Sequence, residues 1–392
     1  MTSRTDFLKD YIDNLKKQNL YTELPIFSSE AKNRVVFKGK EVIMLSSNNY
    51  LGFANQPRLR KAAIGAINKW GFGTGAVRQI AGTMDIHMEL EELLAKYKQT
   101  EAALIFVAGI AANRGTIQAL MTPDDAIISD ELNHGSIIDG VRLTKSERKI
   151  FPHMDMDGLE KVLKETQDKK KRLIVTDGVF SMDGDIAPLK EICELAEKYD
   201  AFVMVDDAHG DGVLGKDGRG SVNHCGAHGK VDIEMGTMSK AFGCLGGYIA
   251  GRKELKDYLI QVARSFIFTT AHPPAIIAAI TEAIKMVQDE PQHLKNLWEN
   301  TTYFKKELGS LGFDTGHSET PITPIMVGES ANALKLSEEM LKEGVFAKPI
   351  VYPLVAKDKS RIRTIVNAHH TRQDLDDALA AFEKVGKKMK LI

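Results

Sequence analysis

The chain has 392 residues, 43% of them hydrophobic and 27% charged, enough to bury a large core and to divide into two domains. A formal net charge of -1 removes the electrostatic case for nucleic acid or an anionic membrane as partner, and three scattered cysteines, Cys193, Cys225 and Cys244, fit neither a disulfide framework nor a metal site. Met1 to Gln18 holds no continuous apolar run, so neither a signal peptide nor a spanning helix is expected, and a cytoplasmic enzyme is the default.

In chain order, Asp6 to Asn19 reads as an amphipathic arm with Phe7, Leu8, Tyr11, Ile12 and Leu15 at helical spacing. A hairpin around Lys38-Gly39-Lys40 leads into the polar run Asn48-Asn49-Tyr50-Leu51-Gly52. A helix over Pro57 to Trp70 ends at the glycine-rich Gly71 to Gly75, and a second helix runs over Met88 to Lys98. Ala102 to Val107 is a predicted strand. Ala108-Gly109-Ile110 then opens a helix whose free N–H groups and positive dipole suit a phosphate. The strand from Asp124 to Ser129 leads to His134, with Ile137 to Leu143 helical after it.

The basic run Lys169 to Arg172 is a solvated helix end without assigned function, followed by a strand over Arg172 to Asp177 that delivers Ser181. Asp183 and Asp185 sit among glycines and read as turn formers rather than metal ligands. After a helix from Pro188 to Tyr199, the strand Phe202 to Asp206 carries Asp206, and three places later His209, to its C-terminal end, where ligands of open α/β sheets bind. A carboxylate there can keep a pyridinium nitrogen protonated, the condition for pyridoxal phosphate (PLP) to act as an electron sink. Residues 210–231 are expected to border the site. Thr237-Met238-Ser239-Lys240 then combines two hydroxyls at phosphate spacing with a lysine that can add to an aldehyde once its pKa is depressed.

Gly246 to Gly251 is a strand expected to return antiparallel, and Ala275 to Val287 a helix leading to a smaller C-terminal region. Trp298 and Leu308 share the next helix, followed by a strand over Ile322 to Val327, a helix over Ala331 to Glu343 and a strand over Val345 to Val351. Arg361-Ile362-Arg363 opens the last strand with both arginines on one face, where a guanidinium needs an anion.

Asp206-x-x-His209 and Ser239-Lys240 together resemble the fold-type I PLP enzymes, and within them the α-oxoamine synthases, which condense an amino acid with an acyl-CoA. The resemblance covers nearly the whole chain and the joint motif set is highly specific. It implies an α/β fold with a mostly parallel seven-stranded sheet in a large PLP-binding domain (51–285), a smaller α+β C-terminal domain (286–392), and an N-terminal arm and hairpin (1–50). It assigns Lys240 as the covalent PLP lysine and base, Asp206 to the pyridinium, His134 to ring stacking, and Ser181 and His209 to the phenolic oxygen side. Gly109, Ile110 and Thr237 would hold the phosphate; Thr269 or Thr270 would reach the phosphate of the other subunit, implying a homodimer with shared sites. Asn49 and Arg363 are the substrate contacts, Arg363 for the amino acid's carboxylate. Arg78, Gly82 and His87 match a further family segment, as does His370-Thr371.

This sequence departs from the family at Ala108, Ile110, Asp211, Ser265, His272 and His369, and four of these (Ala108, Ile110, Asp211 and His272) leave the acyl length open. Thr176 to Gly184 and Ala81 to His87 are most similar to the glycine C-acetyltransferases, implying glycine and acetyl-CoA as substrates and 2-amino-3-oxobutanoate as product. The alternative within the family is 8-amino-7-oxononanoate synthase, using alanine and pimeloyl-CoA. Outside it stand an aminotransferase with the same Lys-Asp-Arg set and a catalytically silent regulatory subunit, against which Lys240 argues.

Overall fold

A computed structural model describes residues 4–18 and 20–392; residues 1–3 and Asn19, part of the predicted arm, lie outside the described set. The arm forms a helix over Asp6–Lys17 that buries no residue: Phe7, Leu8 and Tyr11 are all more than half exposed. Strands β1 (Arg34–Phe37) and β2 (Lys40–Met44) make the expected hairpin, its turn passing through Lys38 and Gly39 at positive φ.

Seven strands follow: β3 (Ala102–Phe106), β4 (Ala126–Asp130), β5 (Glu147–Phe151), β6 (Arg172–Asp177), β7 (Phe202–Asp206), β8 (Ile233–Thr237) and β9 (Gly247–Gly251). They form one sheet in the order β3-β9-β8-β7-β6-β4-β5, in which only β9 runs against its neighbours. Strands β3, β4, β6 and β8 are buried at every position, because helices cover both faces. Alternation sorts the side chains: Leu104, Ile127, Leu173 and Met204 pack on the face covered by the helix Gly109–Leu120, and Ile128, Ile174, Val203 and Val205 on the face covered by the helices Met156–Glu165 and Leu189–Lys198. Each such fully buried side chain contributes about 1.5–3 kcal/mol.

The C-terminal region contains β10 (Ile322–Gly328), β11 (Val345–Phe346), β12 (Pro349–Ile350) and β13 (Ser360–Ile365). Strands β10, β13 and β12 form an antiparallel sheet, while β11 pairs parallel with β2. The strand expected over Val345 to Val351 is therefore two, serving different sheets. The hairpin accordingly packs with the C-terminal region, Ile43 and Leu45 sharing a core with Phe304, Leu336 and Phe382. Elements not anticipated include β5, the helix Met156–Glu165, and the final helix Arg372–Met389, whose N-terminus Thr371 and Asp374 close reciprocally as a capping box.

Candidate active site

The C-terminal ends of the parallel strands converge on a cavity of about 260 Å³ lined by Gly109, Ile110, His134, Ser136, Asp177, Ser181, Asp206, His209, Thr237, Ser239 and Lys240, among others. One rim is the start of the helix Gly109–Leu120, where a side chain on Gly109 would meet Met235 at 2.9 Å, so the glycine lets the helix start pack closely on β8. The opposite end is Asp206, buried at the tip of β7. Its Oδ2 accepts from Asn113 Nδ2 at 2.7 Å and its Oδ1 from the Ala208 amide at 3.0 Å. Asn113 also donates to Ser136 Oγ (2.8 Å), which lies 2.7 Å from His134 Nδ1. Thr237 Oγ1 and Ser239 Oγ are 2.9 Å apart at the end of β8, the pairing expected of a two-hydroxyl anion site. On the far side, Tyr50 Oη lies 2.7 Å from His209 Nδ1.

Burial pushes the Lys240 amine down to about 8, Arg363 adds to the effect, and Asp206 and Asp177 oppose it. Among the described residues Lys240 makes no hydrogen bond or ion pair that would hold it charged. Burial and the neighbouring Asp206 raise the Asp177 carboxyl well above the usual range; its Oδ2 accepts the His134 amide at 3.1 Å and its Oδ1 has no partner. His209 is depressed well below 6.5 by burial and by Lys240 and Arg363, so it is a neutral imidazole. Arg363 donates from Nη2 to Asn48 Oδ1 at 2.9 Å and leaves Nε unsatisfied in a buried position. A buried guanidinium with a free donor is short of one anion. An amine set to be neutral, a held carboxylate, a paired hydroxyl site beside a helix start and that free donor fit PLP with an amino acid's carboxylate beside it.

Gly109, Ile110, His134, Ser181, Asp206, His209, Thr237 and Lys240 thus line one cavity, as the motifs implied. Asn49 does not meet Arg363: its Oδ1 accepts the Ala54 amide at 3.2 Å and fixes its own turn, and the neighbouring Asn48 makes the contact. Thr269 and Thr270 lie away from the Lys240 cavity, with Thr269 bonded to the Ser265 carbonyl. Residues 211–231 do not border the cavity either. Asp211 instead turns inward to Lys98 (2.9 Å) and Tyr248 (2.6 Å). His272 is buried against Gly246, its carbonyl taken by His87 Nε2, so neither departure touches the cavity. Arg361 takes the protein's own acid, Asp183, leaving Arg363 as the free arginine of the pair. Sequence reasoning missed Asn113, Asp177, Ser136 and Tyr50; Asn113 was findable, since it stands one turn after Gly109 on the same helix face.

Residues 40–382 match the family of class I and II aminotransferases. The 8-amino-7-oxononanoate synthase of Thermoanaerobacter pseudethanolicus is 56% identical over 388 residues, spanning 99% of this chain and 98% of that one. The chain belongs to the α-oxoamine synthases. As such it is a PLP-dependent C-acyltransferase of fold type I. The corresponding enzyme of Bacillus subtilis is 52% identical with both chains fully covered, and serine palmitoyltransferase from S. paucimobilis, solved with bound PLP and myriocin, superposes with a TM-score of 0.93 at 29% identity, covering 99% of each chain. These relatives overturn the expectation of a glycine C-acetyltransferase. In the stretches that suggested it, His87 faces the His272 carbonyl and Asp183 pairs with Arg361.

Proposed function

We propose that the protein catalyses the 8-amino-7-oxononanoate synthase reaction, joining alanine to the acyl group of pimeloyl-CoA with release of CoA and carbon dioxide. The observation that carries this reading is the identity of 52–57% with enzymes of that name over nearly the full chain. PLP supplies the electron sink that makes the α-carbon of the bound amino acid acidic. Lys240 would anchor the cofactor, and its amine, with a pKa near 8, is a usable base for the α-proton at neutral pH. Asp206, oriented by Asn113 and the Ala208 amide, holds the proton on the ring nitrogen. His134, its orientation set by Ser136, would pack on the ring, and Ser181 and neutral His209 would hold the phenolic oxygen side.

Gly109, Ile110, Thr237 and Ser239 receive the phosphate, and Arg363 with Asn48 receives the amino acid's carboxylate. The distance of Thr269 and Thr270 from their own chain's cavity supports their service to the site of a second copy, hence a homodimer, and the bare apolar face of the helix Asp6–Lys17 is consistent with that. The division into 1–50, 51–285 and 286–392 is carried as part of this reading, with the hairpin assigned to the C-terminal unit. The test is thiol release by the PLP-loaded protein. Release with alanine and pimeloyl-CoA but not with glycine and acetyl-CoA is expected; the reverse preference sinks the assignment.

A further inference from the structure

His153 lies outside the cofactor cavity and belongs to none of the family motifs, yet it joins the ends of three strands. It stands two residues past the end of β5, the edge strand. Its Nδ1 lies 3.1 and 3.2 Å from the two oxygens of Asp130, the last residue of β4, and its Nε2 lies 3.4 Å from Asp185 Oδ2, in the turn that follows β6. Both ring nitrogens face carboxylates, which accept only, so both must carry hydrogen: the geometry requires an imidazolium. The ring also packs edge-on against Phe180, with centroids 4.3 Å apart.

Each partner is one short step from the cofactor. Asp130 begins the loop 130–134, which it tightens by accepting the Leu132 amide, and that loop ends in His134. Phe180 precedes Ser181, and Asp185 closes the same turn, its amide partner being Phe180. The other charged groups around the clamp are already engaged or face outward. Glu131 accepts the His153 amide, Asp183 is held by Arg361, and Lys305, near Asp185, is taken up by Ser318 and the Thr320 carbonyl.

We propose that His153 is a positioning residue whose charged ring ties the His134 loop to the Ser181 turn and so fixes the separation of the two groups that flank the cofactor ring. The inference rests on PLP occupying the cavity and not on the identity of the acyl donor, so its test contains no acyl-CoA. The two carboxylates raise His153 to about 9 against the opposing effect of burial, which keeps the clamp charged through neutral pH and releases it as pH rises past that value.

The experiment measures PLP affinity and the absorbance of the bound cofactor in wild type, His153→Gln, Asp185→Asn and the double variant, together with the melting temperature of each apo-protein. We expect His153→Gln to weaken PLP about 10-fold and to shift the cofactor band, Asp185→Asn to do so about 3-fold, and the double variant to add little to His153→Gln, because the two act through one contact. The gap in affinity between wild type and His153→Gln should close as pH passes about 9. Unchanged affinity and band in His153→Gln overturn the proposal. So do additive effects in the double variant, or a gap that persists unchanged above pH 9. If His153→Gln fails to fold, Asp185→Asn decides: altered PLP affinity with an unchanged apo melting temperature supports the clamp, and unchanged affinity refutes it.

Discussion

Lys240 and Lys98 are enclosed lysines beside carboxylates on the same sheet, and their amines are driven in opposite directions. Lys98 is 3% exposed, and its Nζ reaches Asp207 (3.1 Å), Asp211 (2.9 Å), Glu234 (3.1 Å) and the Arg219 carbonyl (2.6 Å). Burial favours its neutral form, but three carboxylates in contact overrule burial and raise it well above 10.5. Lys240 also feels three acids, Asp206, Asp177 and Asp211, but none touches it, and burial prevails. Contact decides which effect wins. Asp206 is occupied by Asn113, and burial beside Asp206 raises the Asp177 carboxyl, so neither holds Lys240 in an ion pair. One lysine is fixed as a structural cation; the other is kept available as a nucleophile and base.

The contrast can be broken most sharply at Lys240. Lys240→Ala should lower turnover on the order of 10⁴-fold while leaving the melting temperature of the apo-protein nearly unchanged. Lys98→Met should do the opposite, costing about 3–5 kcal/mol in urea unfolding near pH 7 because three carboxylates lose their only cation. Its cost should shrink toward pH 5. Burial holds Asp211 at about 7, so the folded protein keeps a proton there that the unfolded chain releases, and stability falls as pH rises from the ordinary aspartate range to that value. Without Lys98 that window extends upward. Arg363→Lys should raise KM for the amino acid about 10–100-fold with a smaller change in kcat, since an ammonium cannot reproduce a forked grip. The smallest effect concerns Lys240 itself: recombination of apo-protein with PLP should speed up as pH rises through about 8, where the amine loses its proton, and a rate flat from pH 7 to 9 would deny the depressed pKa.

The sheet and most of the site were legible because strand ends and their polar successors are local in sequence: Asp206 ends an apolar run, and Ser181 and Lys240 follow within four residues of the ends of β6 and β8. β5 was not legible, since Glu147-Arg148-Lys149-Ile150-Phe151 is mostly charged. As the edge strand it is buried fully only at Phe151, and so it lacks the apolar signature of its neighbours. His153 was lost with it. That Asn48 and not Asn49 reaches Arg363 was not legible either, because turn geometry, not residue type, decides which amide faces the guanidinium. The acyl preference was misread for a different reason. It rested on the likeness of Thr176 to Gly184 and Ala81 to His87 to the glycine C-acetyltransferases, and the side chains there serve contacts within the chain, His87 with the His272 carbonyl and Asp183 with Arg361.

The helix Gly109–Leu120 serves the cavity twice, lining it at Gly109, where we place the phosphate, and holding Asp206 through Asn113. Four helical residues rise about 6 Å in slightly more than one turn. The helix is thus a rigid gauge for the cofactor, both ends measured off the same rod. Inserting a single residue between Gly109 and Asn113 would rotate the amide by about 100°, and no adjustment of loops could bring both ends back into reach.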